Sequence, residues 1–287
     1  MNENNKTAII VDSCGDVPEE YFEKYKHLFL LPMRINCPDG SFRDGVEIFA
    51  EDVYRRQKTE NLTSSTPSGA DVEDLFQKIE EQGYKKAIAI ILSSGLTSTV
   101  NHIRLASEEL EHLEVAVYDS MSASIGEGAI AIQAAEYVEE GIVFEDLKKK
   151  VEQLIAGTKV FFSIDTLEFL QKGGRIGKVT ALAGTLLDIK PVITVDEDGE
   201  LHTAAKVRSH KAVAKKLVQF VQEQAQEDRA FNLVVADGGV EEERDALEAR
   251  LTEALPGFRH LFRAKIGGAL SIHLGPGLLG AGIQYLD

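Results

Sequence analysis

Cysteine is scarce in this chain: Cys14 and Cys37 are the only two among 287 residues. Two thiols make no disulfide framework, and neither stands at a metal-ligand spacing, so a thiol-permissive cytosol is the simplest setting. Positive charge is also in deficit. Lysine and arginine number 31 against 47 aspartate and glutamate, a formal net charge of −16. Binding a polyanion by bulk attraction needs a basic face, so no nucleic acid partner is expected. Long apolar runs are missing too, since no stretch approaches the ~20 residues of a membrane span. The first apolar run, Ala8-Ile9-Ile10-Val11, stops at Asp12, and Met1-Asn2-Glu3-Asn4-Asn5-Lys6 ahead of it has no basic cluster. Neither a signal peptide nor stable membrane insertion is expected, and the reading is cytoplasmic.

What is present suits a folded enzyme-sized protein. With 44% hydrophobic and 27% charged residues the chain can bury a sizeable core, which excludes disordered, collagenous and low-complexity classes. The length favours two domains. Ala8–Val11, Ala87–Leu92 and Val115–Tyr118 are continuous and β-branched, the signature of buried parallel strands. Helical spacing is predicted over Ala70–Gln82, Glu127–Glu140 and Glu145–Ala156. Within the second of these, the small apolar residues Ala129–Val138 fit a pocket wall and plain core packing equally well.

The pattern changes near Gly157. Strands are expected at Lys159–Ile164, Pro191–Val195, Leu201–Val207, Leu233–Ala236, Arg259–Lys265, Ala269–His273 and Gly282–Leu286, with helices at Lys211–Gln226 and Glu241–Leu255. The expected fold class is therefore α/β. Residues 1–157 form an N-terminal domain with a mostly parallel sheet flanked by helices, and residues 158–287 a C-terminal mixed-sheet α/β domain.

Each first-half strand runs into small hydroxyl or carboxylate residues: Asp12-Ser13, Ser93-Ser94-Gly95-Leu96-Thr97-Ser98-Thr99 and Asp119-Ser120-Met121-Ser122. Strand carboxyl ends border the ligand crevice of open α/β sheets, and helix N-termini that follow offer N–H groups to an anion. Helix capping accounts for any one of these segments. Three of them, with Ser64-Ser65-Thr66-Pro67-Ser68, point to a small anion site. A nucleotide is not indicated. Gly177-Lys178 is followed by Val179, and Lys172 stands where a phosphate loop needs its first glycine. Gly275-Pro276-Gly277-Leu278-Leu279-Gly280 has dinucleotide-loop spacing but lies too near the end of the chain for the rest of that unit. Hydroxyl clusters without a partnering lysine suit a carboxylate. His273 stands out among the histidines, between an expected strand and a glycine-rich turn. A hydrolase triad of Ser93 or Ser94 with His273 and Asp119 is the alternative, though no Gly-x-Ser-x-Gly turn occurs to activate the serine.

Taken in order, several of these segments resemble the DegV family. They are Ile10-Val11-Asp12-Ser13, Ser64 to Ser68, Ser93 to Thr99, Asp119-Ser120 with Gly126 and Gly128, Thr166-Leu167-Glu168-Phe169-Leu170 before Gly173-Gly174-Arg175-Ile176-Gly177, Lys190-Pro191, Lys206-Val207-Arg208, and His273-Leu274-Gly275-Pro276-Gly277. The resemblance covers essentially the whole chain. It implies a non-enzymatic, two-domain carrier that encloses one long-chain fatty acid, with no cofactor and no metal. Members of the FakB type present that fatty acid to a separate fatty acid kinase, FakA, for acyl-phosphate formation. Carried over, the carboxylate would be held by Ser64, with Thr63 and Ser65 as neighbours able to take the role, by Ser93 or Ser94, and by His273, with a protonated imidazole adding a charge-assisted bond. Arg208, with Arg175, would face the kinase or its phosphoryl group. Ser64 stands where the family has threonine, and Thr97-Ser98 replaces its Ser-Gly.

Overall fold

The computed structural model describes residues 6–182, 189–226 and 228–287; Met1–Asn5 of the N-terminal segment considered above lie outside them. The first part of the chain forms β1 (Thr7–Asp12), α1 (Glu19–Lys24), β2 (Leu28–Leu31), β3 (Arg34–Cys37), β4 (Gly40–Arg43), α2 (Ala50–Arg56), β5 (Thr63–Ser65), α3 (Gly69–Glu81), β6 (Lys86–Ile91), α4 (Thr99–Glu108), β7 (Glu114–Asp119), α5 (Ile125–Glu139) and α6 (Phe144–Gly157). The second part forms β8 (Thr158–Ser163), α7 (Glu168–Lys172), β9 (Lys190–Val195), β10 (Leu201–Val207), α8 (His210–Gln224), β11 (Phe231–Asp237), α9 (Glu241–Ala254), β12 (Leu261–Lys265), α10 (Gly268–Leu274) and β13 (Leu279–Tyr285).

Among the described residues the strands form three sheets. The first is all parallel, in the order β2-β1-β6-β7. Its β1 is buried at every position, which is why its sequence is a continuous apolar run with no alternation. The second has six strands, β10-β9-β8-β13-β11-β12, antiparallel except for the β11–β12 pair. The fold is thus the α/β arrangement expected, a parallel helix-flanked sheet followed by a mixed sheet. A third, small antiparallel sheet, β4-β3-β5, was not expected, because its strands of three or four residues are too short for periodicity to show.

Helix α3 follows its sequence closely: Val72, Leu75, Phe76 and Ile79 form the buried face, and the Ser68 hydroxyl caps the Asp71 N–H. Helix α5 is different. It is buried on nearly all sides, packing against β1, β2 and β6 of one sheet and β8, β11, β12 and β13 of the other. The main core accordingly mixes residues of both parts of the chain, among them Ile9, Ile88, Ile130, Ile193 and Val234.

One element was misread. Ala269–His273 is not a strand but most of α10. Leu270-Ser271-Ile272-His273 alternates apolar and polar residues as a half-exposed strand would, yet all seven residues of α10 are buried. Alternation carries no facial information when every face is covered. The last strand likewise begins earlier than expected, at Leu279.

Candidate functional site

A cavity of about 340 Å³ lies between the two large sheets. Its wall is mostly aliphatic and aromatic, including Leu92, Val160, Phe162, Val195, Leu270 and Leu278. Ser64, Ser65, Thr66, Thr97, Ser98 and Ser124 are also on the wall, and among the described residues its only charged-type members are Arg175 and His273. A concave, mostly apolar chamber with a few polar groups is the usual form of a small-ligand site.

The polar end is built from three distant segments. Strand β5 lays Ser64 opposite Ile35 of β3, presenting its hydroxyl to α10. His273 stands in the last turn of α10, and the Ser64 Oγ is 2.6 Å from its Nε2. The chain then leaves α10 through Gly275 (φ +69°) and Gly277 (φ +90°), a backbone that side-chain-bearing residues rarely adopt. The third segment is the turn after α7. A Cβ on Gly173 would lie 2.1 Å from the His273 Nδ1, so glycine there lets the backbone close over the imidazole. Arg175 follows, exposed, its Nη1 donating to the Gly173 carbonyl at 2.7 Å and its Nε reaching the Leu96 carbonyl at 3.4 Å.

Burial, and then the positive charge of Arg175, push the His273 pKa down from 6.5 to about 4. The imidazole is therefore neutral at pH 7. A neutral imidazole can still offer a hydrogen bond to a carboxylate, with Arg175 beside it as the charged partner.

The remaining sequence candidates divide between the wall and positions off it. Ser65 lines the cavity, and its hydroxyl accepts from the Asn36 side chain at 3.2 Å. Ser93 is fully buried and donates to the Gly199 carbonyl at 2.8 Å. Ser94 is exposed, and its N–H donates to Asp119, which also accepts from Met121 N–H at 2.9 Å. Neither Ser93 nor Ser94 is on the cavity wall. Arg208 is exposed one residue beyond β10 and is not on the wall either. The triad of the hydrolase reading is not bonded together: among the described residues the His273 Nδ1 has no hydrogen-bond partner, so no carboxylate orients the ring. A pKa near 4 also makes this imidazole a poor general base at neutral pH.

Sequence reasoning missed a buried acidic network beside this chamber. Asp12 accepts from Cys14 N–H and Leu92 N–H, Ser13 donates to Asp44, and Asp16 accepts from the Ser124 hydroxyl and Gly267 N–H. Glu127, at the start of α5, is fully buried with neither carboxyl oxygen hydrogen-bonded among the described residues. Burial raises Asp12 and Asp44 to about 6, and raises Asp16 and Glu127 well above the usual range. Each such group holds a proton in the folded state that the unfolded chain releases above about pH 4. Stability should therefore fall as pH rises from about 4 to 6, with Asp16 and Glu127 extending the decline to higher pH. Urea midpoints at pH 4.5 and 7.5 test this: Asp44→Asn with Glu127→Gln should flatten the slope, and an unchanged slope would contradict it.

The family profile described as "Uncharacterised protein, DegV family" matches residues 6–286. A DegV domain-containing protein of Clostridium acetobutylicum is 36% identical over 275 residues, covering 96% of this chain and 97% of the relative. The chain belongs to the DegV family. Among solved structures, it is similar to one described as showing fatty acid binding by a DegV family protein from Thermus thermophilus. That match has a TM-score of 0.91 and 27% identity, covering 98% of this chain and 99% of the other. DegV from Bacillus subtilis, described as a fatty acid binding protein, matches with a TM-score of 0.88 and 25% identity over 98% and 99% of the two chains. A stearic acid-binding protein from Eubacterium ventriosum matches with a TM-score of 0.87 and 25% identity over 97% and 98%.

Proposed function

We propose that this DegV protein encloses one long-chain fatty acid and presents its carboxylate, in the cytoplasm, to a separate fatty acid kinase of the FakA type. In this reading the acyl chain fills the apolar cavity, while Ser64, His273 and Arg175 hold the carboxylate. Residues 1–157 supply β5 and the Leu96 loop, and residues 158–287 complete the pocket. The observation that carries the reading is a mostly apolar chamber in which a hydroxyl–imidazole pair stands beside an exposed arginine. The fatty-acid binding reported for structural relatives supports it.

The energetics fit. Burying methylenes contributes ~0.8 kcal/mol each, so a tail of about fifteen carbons supplies at most ~12 kcal/mol before ordering costs. An ionised carboxylate beside an apolar chamber is costly unless paired. Two neutral hydrogen-bonding groups and one guanidinium satisfy it while leaving the solvent side, where Arg175 is exposed, open to an incoming phosphoryl group. The sequence carries no phosphate loop, so in this reading the phosphoryl donor is held by the partner.

Mass spectrometry of the purified protein, native and then after solvent extraction, tests the proposal. A stoichiometric mass gain that extracts as one or a few long-chain fatty acids is expected. A protein that purifies empty and takes up no added fatty acid would overturn it.

A further inference from the structure

Strand β13 lies inside the six-stranded sheet, paired with β8 on one side and β11 on the other, and it carries Gly280. Glycine within a central strand is destabilising by roughly 0.5–1 kcal/mol relative to alanine. Three things justify it there: a positive φ, a neighbour that leaves no room for a Cβ, or the close approach of a ligand. Gly280 is not among the positive-φ glycines. Nor is it crowded. A Cβ there would meet the Phe162 Cβ at 3.4 Å, the Phe161 carbonyl oxygen at 3.5 Å and the Leu278 Cδ2 at 3.7 Å, all ordinary contacts. Gly282, two residues on, shows the contrast, since its Cβ would lie 2.4 Å from the Lys159 carbonyl oxygen. Packing explains Gly282 and leaves Gly280 without a reason of that kind.

Its position supplies one. Gly280 is paired with Phe162 on β8 and Ala236 on β11, and paired residues of a sheet point to the same face. All three line the cavity, as do the neighbouring Phe161 and Ala281, so the facing is decided by packing. Phe162 and Ala236 pack in the core between the sheets, whereas Phe161, Val235 and Ala281 belong to the core on the opposite face. A side chain at 280 would therefore project into the chamber. Across the sheet the wall runs from a phenylalanine to a bare backbone to an alanine, a trough whose floor is the Gly280 main chain.

We propose that Gly280 is a specificity-determining residue: the space its absent side chain leaves is occupied by the acyl chain, and its width admits kinked or branched chains. This rests on the fatty-acid reading above. Filling the trough narrows the channel, and chains of wider cross-section lose contact or clash before straight ones do. One methyl in a hydrophobic pocket discriminates by roughly ten- to a few hundred-fold.

The test compares delipidated wild-type protein with Gly280→Ala and Gly280→Val. Each is titrated with straight saturated, cis-monounsaturated and methyl-branched fatty acids of equal carbon number, and the melting temperature of each empty protein is recorded. Gly280→Ala is expected to melt no lower than wild type, yet to weaken the kinked and branched ligands about tenfold more than the straight one. Gly280→Val should widen that gap; should it fail to fold, Gly280→Ala alone decides. Unchanged selectivity, or a lowered melting temperature with all ligands weakened equally, would overturn the proposal and make Gly280 a packing residue. Wild-type protein that takes up no fatty acid at all would instead overturn the binding reading, and the trough with it.

Discussion

Arg175→Ala is expected to weaken long-chain fatty acid binding at pH 7.5 by roughly ten- to a hundredfold, the worth of a hydrogen bond to a charged group. Among the described residues Arg175 is the only cationic side chain lining the cavity at neutral pH, since burial and the nearby arginine hold His273 neutral. Without it a carboxylate meets only neutral partners, Ser64 and His273. The sign of the pH effect follows. A free carboxyl titrates near pH 4–5, and once protonated it no longer needs a counter-charge. The deficit of the variant should therefore shrink as pH falls toward 5 and be largest above pH 7. Displacement of a fluorescent fatty acid at pH 5, 6, 7 and 8 measures this. An equal deficit at every pH would mean that Arg175 acts through its bonds to the Gly173 and Leu96 carbonyls, not through charge. Arg208→Ala is the comparison. Arg208 stands in solvent beyond β10 and off the cavity wall, so its loss should leave retention intact; on the proposed carrier function it should slow acyl-phosphate formation by the partner kinase. An emptied cavity in that variant would refute the division of roles between the two arginines.

The large elements were legible because their burial is patterned along the chain. β1 and β6 are covered on both faces and read as unbroken apolar runs, and α3 buries one stripe and reads as a helix. α10 was not legible, since seven buried residues show no face to distinguish helix from strand. The small β4-β3-β5 sheet escaped for a different reason: it is held by pairings such as Ile35 with Ser64, which local sequence does not announce. The site divides in the same way. Ser64 and His273 were both visible as candidate groups, but their contact across 209 positions is a product of the fold. Several strand-end hydroxyls and carboxylates that drew attention serve the turns themselves. Asp12 and Asp119 accept backbone N–H groups, Ser68 caps α3, and Ser93 ties the first-half turn to Gly199 of the β9–β10 hairpin. Arg175 was read as facing a phosphoryl group; its bond to the Leu96 carbonyl, which places it at the chamber mouth, could not be read from spacing.

Helix α5 joins the stability of the fold to the shape of the chamber. Because it is enclosed by both large sheets, it lacks an amphipathic face, and its Ala129–Val138 stretch, readable as either pocket wall or core, turns out to be core. Only its first residue, Ile125, reaches the cavity. How closely α5 approaches the parallel sheet depends on Gly128, where a Cβ would lie 2.2 Å from the Gly15 carbonyl oxygen and 3.1 Å from the Val17 Cγ2. The obstacle is backbone, so a rotamer change cannot relieve it and the helix or the turn must move. Overpacking of this kind costs about 1–3 kcal/mol, while alanine gains up to ~1 kcal/mol over glycine within a helix. Gly128→Ala should therefore be a net loss of about 1 kcal/mol, lowering the melting temperature by a few degrees. Displacing the start of α5 also moves Ile125, so weaker fatty acid binding should accompany the lower melting temperature. Gly69→Ala at the first position of α3, where no atom lies within 4 Å and φ is ordinary, should be neutral or slightly stabilising. A Gly128→Ala protein as stable as the Gly69→Ala one would show that α5 does not sit against the Gly15 backbone as described.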